Sequence, residues 1–150
     1  MKAKIRILYP TDFSPAAEPA FEYALETAKI DDAVLILLHV IEPTSPFADD
    51  VYIALPDATR EAAEAAARRR FDGLLARAKA VGVDARDVFR SGRPAEEITK
   101  AAEREFADLL VMGTHGRRGL RRLTLGSVAE QVVATAQCPV VTVRMREPLA

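Results

Sequence analysis

The chain has little of what several common sites require. It carries one cysteine, Cys138, and two histidines, His39 and His115, in 150 residues. A lone cysteine excludes an internal disulfide and fits a reducing compartment. The histidines are too few, and Cys138 too distant from them, to suggest a zinc set. The net charge is only −1, with acidic and basic residues mixed, so the electrostatic footprint of a general nucleic-acid or membrane-surface binder is missing. The opening "MKAKIRILYPTDFS" has a short apolar run interrupted by Lys4 and Arg6, and neither a signal peptide nor a membrane span is expected there. The usual phosphate-loop signatures, GxxxxGK[ST] and GxGxxG, do not occur. The expectation is a cytoplasmic protein, and the length predicts one domain, residues 1–150, with a proper core.

What is present alternates. Lys4 to Tyr9 predicts a strand ending at Pro10, and Phe21, Ala24, Leu25 and Ala28 follow at helical spacing. Ser14 is the expected N-cap with Pro15 in the first helical position. Pro19 then removes a hydrogen bond near the first turn, so the regular helix is expected to begin only there. "AVLILLHV" (33–40) is an unbroken apolar run of strand length, the pattern of a parallel strand covered on both faces. A Pro- and Asp-rich segment, Glu42 to Asp57, reads as a flexible flap before a long Ala/Arg/Glu helix stopped by Gly82. In that helix Arg68, Arg69 and Arg70 lie beside Glu61 and Glu64, which suggests i,i+4 pairing. "VDARDVFRSG" is polar enough for an edge strand. The helix after it has Pro94 early and Glu96 and Glu97 in its first turn, where the dipole favours them. "DLLVMG", "SVAEQVVATAQ" and "PVVTVRM" complete a strand, a helix and a strand. Alternation of this kind implies a parallel α/β sheet with helices on both faces, joined by right-handed crossovers. Ligands in such sheets bind beyond the C-terminal strand ends where strand order reverses, so the loops after the first, second and fourth strands are the candidates.

The loop after the fourth strand, "MGTHGRRGLRRLTLGSVAE", holds Gly113, Gly116, Gly119 and Gly126, four of the chain's seven glycines. Glycine allows backbone N–H groups to approach a ligand without an intervening side chain. Ser127 opens a helix whose first N–H groups lack intrahelical partners and carry partial positive charge. Together they make a seat for an anion, most naturally phosphate. Hydrogen bonds to a charged group contribute about 1.5–3 kcal/mol each. Three or four of them, after the cost of immobilising a ligand, reach about −8 kcal/mol, micromolar affinity. The bland alternative also stands: Ser127-Val128-Ala129-Glu130 is a complete Ser-x-x-Glu capping box that needs no ligand.

At these residues the sequence resembles the universal stress protein family. The resemblance runs through "ILYPTDFSPAAEPAFEYA", "LLHVIEP", "GRPAEEI", "DLLVMGTHGRRGL", "LGSVAEQVV" and "CPVVTVR". The family's nucleotide-binding branch carries Gly-x2-Gly-x9-Gly-[Ser/Thr], which Gly113, Gly116, Gly126 and Ser127 match in full. The resemblance implies a single-domain, Rossmann-like, doubly wound α/β fold of five parallel strands in order 3-2-1-4-5 with four helices. It implies a cleft between the first and fourth strands that takes ATP, ADP or AMP, with Mg2+ carried by the phosphates. Asp12 would accept the ribose hydroxyls, as a carboxylate can accept two donors at once, with Pro10 and Thr11 on the same wall. Val40, just past the second strand, would offer backbone groups to the adenine edge. Met112, Gly113, His115 and Gly116, with Gly126, Ser127 and Val128, would surround the phosphates. Arg117 would add charge there or stand solvated. Pro19 is unusual against the family pattern and bears on how Asp12 is presented. Asp12 has a second reading as a turn residue ahead of Ser14, and His39 one as a satisfied core or strand-end histidine. Arg121 and Arg122 are most simply a solvated loop face.

Three functions follow as expectations. The first is an ATP-binding regulatory protein of the stress response with at most slow hydrolysis; the others are a dimeric scaffold with incidental nucleotide and a weak ATPase or phosphotransferase. Phosphoryl transfer needs a metal site, a positioned nucleophile and a charge clamp. Arg117 and Arg118 are candidate clamps, but no residue stands out as base beyond Asp12 or His115. A homodimer is expected through the last strand, Val140 to Arg144, because a bare apolar edge is an aggregation liability. Arg144 and Arg146 keep a charge-blunted edge open as the alternative. No nucleic-acid or membrane partner is expected, and the sequence names no protein partner.

Overall fold

The structure is a computed structural model in which residues 2–42, 57–115 and 125–146 are described. Five parallel strands, β1 (Arg6–Pro10), β2 (Val34–Ile41), β3 (Asp84–Ser91), β4 (Leu109–Gly113) and β5 (Val140–Val143), form one sheet in order β3-β2-β1-β4-β5. They alternate with helices α1 (Glu18–Asp31), α2 (Asp57–Ala80), α3 (Pro94–Arg104) and α4 (Ser127–Thr135). The flap reading for Glu42 to Asp57 falls almost entirely outside the described residues.

Successive strand residues point to opposite faces, and both faces are covered. Ile7, Tyr9, Leu35, Leu37 and Val111 pack against Phe21 and Ala24 of α1 and Phe71 of α2. Leu8, Ile36, Leu38 and Leu110 pack against Ile98 of α3 and Val132 of α4. This double burial is why the β1 and β2 sequences are continuously apolar rather than alternating. β3 has one covered edge, and only Val88 of its eight residues is buried, as its polar sequence predicts.

Local expectations are met in part and revised in part. The residues before α1 form a short 3-10 turn, Pro15–Ala17, and the regular helix begins at Glu18, within one residue of the expected start at Pro19. Pro19 therefore sits in the first turn, where its missing N–H costs no helical bond. Ser14 occupies the cap position of the 3-10 turn, but its side chain makes no capping bond, and its buried Oγ has no partner among the described residues. The i,i+4 pairing expected of the Arg68–Arg70 run, which the spacing allows with a glutamate only for Arg68 and Glu64, is also replaced. Arg68 lies over the ring of Phe89 and Arg70 over that of Phe13, at 4.8 and 5.7 Å from the centroids. Among the described residues no helix is long and apolar enough to cross a membrane.

Candidate functional site

The site grows out of the way two ladders stop. In a strand the N–H and C=O of one residue point to the same side, and the sides alternate. Thr11 N–H donates to the Leu38 carbonyl at 2.8 Å, so the odd residues of β1 face β2 and Arg6, Leu8 and Pro10 face β4. The β1–β4 ladder has its last pair at Leu8↔Leu110. The next bond would need an N–H from Pro10, which proline lacks. The strands part there, at the point where strand order reverses, and a crevice opens at their C-terminal ends.

On the other side of β1, pairing with β2 ends at Pro10↔Leu38. Val40 is not past β2 but inside it, paired with Arg90 of β3. By the same alternation its N–H and C=O face β1, one step beyond the last pair. The carbonyl of Thr11, where the next ladder bond would fall, instead receives Nδ1 of His39 at 2.8 Å. A carbonyl only accepts, so this contact assigns the proton to Nδ1. His39 is thus the satisfied strand-end histidine of its second reading.

The turn after β1 is held by its own side chains. Thr11 Oγ1 accepts the N–H of Phe13 at 3.0 Å, and Asp12 Oδ1 accepts the N–H of Ser14 at 2.9 Å. Both interactions are the local side-chain-to-backbone bonds that build tight turns. Asp12 is therefore a turn residue, a role that leaves intact its chemistry as a multi-site acceptor. Phe13 takes φ +62°, an outlier for a bulky side chain that costs about 1–3 kcal/mol and persists only where the surroundings over-determine it. Nothing in the sequence signals this, because phenylalanine is among the residues least suited to that conformation.

The fourth-strand loop is closed at its neck. Gly126 N–H donates to the Thr114 carbonyl at 2.6 Å, and a Cβ on Gly126 would lie 2.8 Å from that same oxygen. Gly126 is thus required by a close backbone approach, with an ordinary φ of −63°. Gly113 is tight in the same way: a Cβ there would lie 3.0 Å from the carbonyl of Ala16, which puts the end of β4 against the turn following β1. His115 Nδ1 contacts Thr114 Oγ1 at 3.0 Å, while its Nε2 is buried without a partner among the described residues.

Gly126 is also the N-cap of α4, which starts at Ser127, and no side chain caps it. Ser127 is the first helical residue, so the Ser-x-x-Glu capping box is not formed. The first helical bond runs from Glu130 N–H to the Gly126 carbonyl at 2.9 Å, and the N–H groups of Ser127, Val128 and Ala129 lie in the turn that has no intrahelical acceptor.

The described site residues therefore form one connected rim. Val40 adjoins His39, which holds Thr11; the turn carrying Asp12 runs into Ala16, which abuts Gly113; Thr114 and His115 then meet Gly126, which leads into Ser127 and Val128 of α4. Met112 is buried beneath, in the core on the α3 and α4 side. Gly116 and Arg117, with Gly119, Arg118, Arg121 and Arg122, lie outside the described residues. Among the described residues no three His, Cys, Asp or Glu side chains gather as a metal site. Such a rim offers a carboxylate, strand-end amide groups and a helix N-terminus at the C-terminal end of the sheet.

Comparison with known proteins identifies the family and the fold. Residues 5–144 match the Universal stress protein family. Universal stress protein MJ0577 of Methanocaldococcus jannaschii is 32% identical over 94% of this chain and 95% of its own. Its solved structure superposes with a TM-score of 0.82 at 31% identity, covering 95% of this chain and 97% of that one. More distant structures share the fold. A universal stress protein solved in complex with cAMP has a TM-score of 0.70 at 24% identity over 95% of this chain and 98% of that one. One from Archaeoglobus fulgidus, in complex with dAMP, has a TM-score of 0.65 at 19% identity over 95% and 98%.

Proposed function

The chain belongs to the universal stress protein family, and from that premise we propose that it is an adenine-nucleotide-binding regulatory protein. The observation that carries the proposal is the position of the rim. Asp12 follows β1, the Val40 backbone faces β1 beyond its last pair, and the N-terminus of α4 follows the β4 loop. In this reading all three border the C-terminal end of the sheet, where the β1–β4 ladder stops at Pro10. Each group suits one part of the ligand. Asp12 accepts from ribose hydroxyls, Val40 N–H and C=O complement the edge of adenine, and the first-turn amides of Ser127 and Val128 face the phosphates, where the helix dipole favours negative charge. Gly113 and Gly126 keep the two loops close enough to share one ligand, with His115 between them. Gly116 and Arg117 belong to the proposal through the motif. The cAMP and dAMP carried by relatives of the same fold are both adenine nucleotides, which supports the class without choosing among ATP, ADP and AMP.

ATP would bring Mg2+ on its phosphates, with any remaining ligands being water. Hydrolysis in this reading is slow at most, because among the described residues the rim supplies a binding frame and no candidate base beyond Asp12 or His115, each already in contact with a neighbour. The proposal includes a cytoplasmic, single-domain chain working as a homodimer through β5. The direct test is mass spectrometry of whatever small molecule denaturation releases from the natively purified protein, followed by calorimetry with ATP. An adenine nucleotide and micromolar heats absent from a Gly116→Val/Gly126→Val variant are expected. Equal heats from the wild type and that variant would remove the proposal.

A further inference from the structure

Phe13 stands one residue beyond Asp12 in a conformation its own side chain disfavours, and contacts from elsewhere in the fold add to the local turn bonds that hold it there. We infer that Phe13 is a positioning residue through which helix α2 and strand β2 orient the Asp12 carboxylate toward the ribose of the bound nucleotide. The inference rests on the proposed function.

The restraints are specific. The Phe13 ring meets Phe71 of α2 edge-on at 5.1 Å and His39 of β2 at 4.8 Å. Arg70, the neighbour of Phe71, covers the same ring and directs Nη1 at the Phe13 carbonyl, 3.4 Å away. Phe71 is the one large side chain that α2 buries, beside Ala67 and Ala78, and it continues into Phe89 of β3 at 5.0 Å. A bulky residue keeps a positive φ only when its surroundings impose it, and here the ring packing acts together with the Thr11 and Asp12 turn bonds. Returning Phe13 to negative φ would swing the peptides on either side and draw the Ser14 N–H away from Asp12 Oδ1, which it now holds at 2.9 Å. The ring contacts thus govern where the carboxylate points. A binding group displaced by even a fraction of an ångström loses much of its hydrogen-bond energy.

The experiment measures ATP and 2′,3′-dideoxy-ATP affinities by calorimetry for the wild type, Phe13→Gly, Phe13→Tyr and Phe71→Leu, with Val83→Ala as a remote core control. Glycine tolerates the positive φ and removes only the ring. Phe71→Leu nearly conserves volume and decides the matter if Phe13→Gly fails to fold. The wild type should prefer ATP by roughly tenfold, the loss of about one hydrogen bond to a charged group. Phe13→Gly and Phe71→Leu should lose most of that preference while binding the dideoxy compound within about twofold of the wild type, and Phe13→Tyr should restore it. A purely structural role would weaken both ligands alike, as Val83→Ala would if it weakens either. Retention of the wild-type ribose preference in Phe13→Gly or Phe71→Leu overturns the inference. A wild type indifferent to the ribose hydroxyls overturns the Asp12 contact itself, and the inference with it.

Discussion

The amide of Gly126 and the carbonyl of Thr114 lie 2.6 Å apart, twelve residues from one another in the chain, and close the neck of the glycine loop. With a Cβ at residue 126 falling 2.8 Å from that carbonyl, Gly126→Ala forces the neck open. The expected result is a loss of about 1–3 kcal/mol in urea unfolding, the usual cost of forcing atoms into a packed site, together with weaker nucleotide binding. Gly73→Ala is the contrast. It lies within α2 and its Cβ would meet nothing within 4 Å, so a gain of about 0.5–1 kcal/mol is expected. Equal and small effects of the two substitutions would mean the neck is not closed.

Because Gly126 rather than Ser127 caps α4, Ser127→Ala should leave the unliganded protein within about 0.5 kcal/mol of the wild type. A genuine serine cap would cost about 1 kcal/mol. Thermal unfolding without nucleotide separates the two, and a drop of the larger size would restore the capping box.

Glu105 supplies a pH dependence. The hydrogen bond from Arg86, aided by the charges of Arg86, Arg90 and Arg6, holds its carboxyl below the ordinary value against the opposing effect of burial. In the unfolded chain it titrates near about 4.3. Its folded value is lower, so its stabilisation is complete above the unfolded value and is lost as pH falls through the folded one. Denaturant midpoints followed downward from neutral pH should fall less steeply for Glu105→Gln than for the wild type. Parallel curves would assign the acid limb to other carboxylates.

The proposed dimer can be tested without disturbing the core. Val141 and Val143 pack inward, so a charge at either would damage the fold. Leu110 N–H donates to the Pro139 carbonyl and Thr114 N–H to the Val143 carbonyl, which places the odd residues of β5 toward β4 and Thr142 toward the open edge. Thr142→Pro removes an outward N–H while sparing the β4 ladder. Sedimentation should show a lighter particle than the wild type; an unchanged dimer mass would count against pairing through this edge.

What the sequence determined by itself was whatever depends on neighbours along the chain. The apolar run 33–40 needed cover on both faces, which makes a buried parallel strand. Gly82, at φ +77°, sits at the stop of α2 where helical periodicity ends. Pro10 lacks an N–H wherever it is placed, so a ladder had to stop there. The glycine motif was legible as a pattern, while its relation to Asp12 and Val40 came from the family resemblance alone. Only the tertiary structure decided which contact each residue makes. Ser127 could cap or not, depending on where the chain turned into α4. Arg68 could meet Glu64 one helical turn away or the ring of Phe89 on β3, and the fold brought the ring. The positive φ of Phe13 and the approach of Gly126 to Thr114 arise from segments far apart in sequence pressing together, and local propensity carries no record of such encounters.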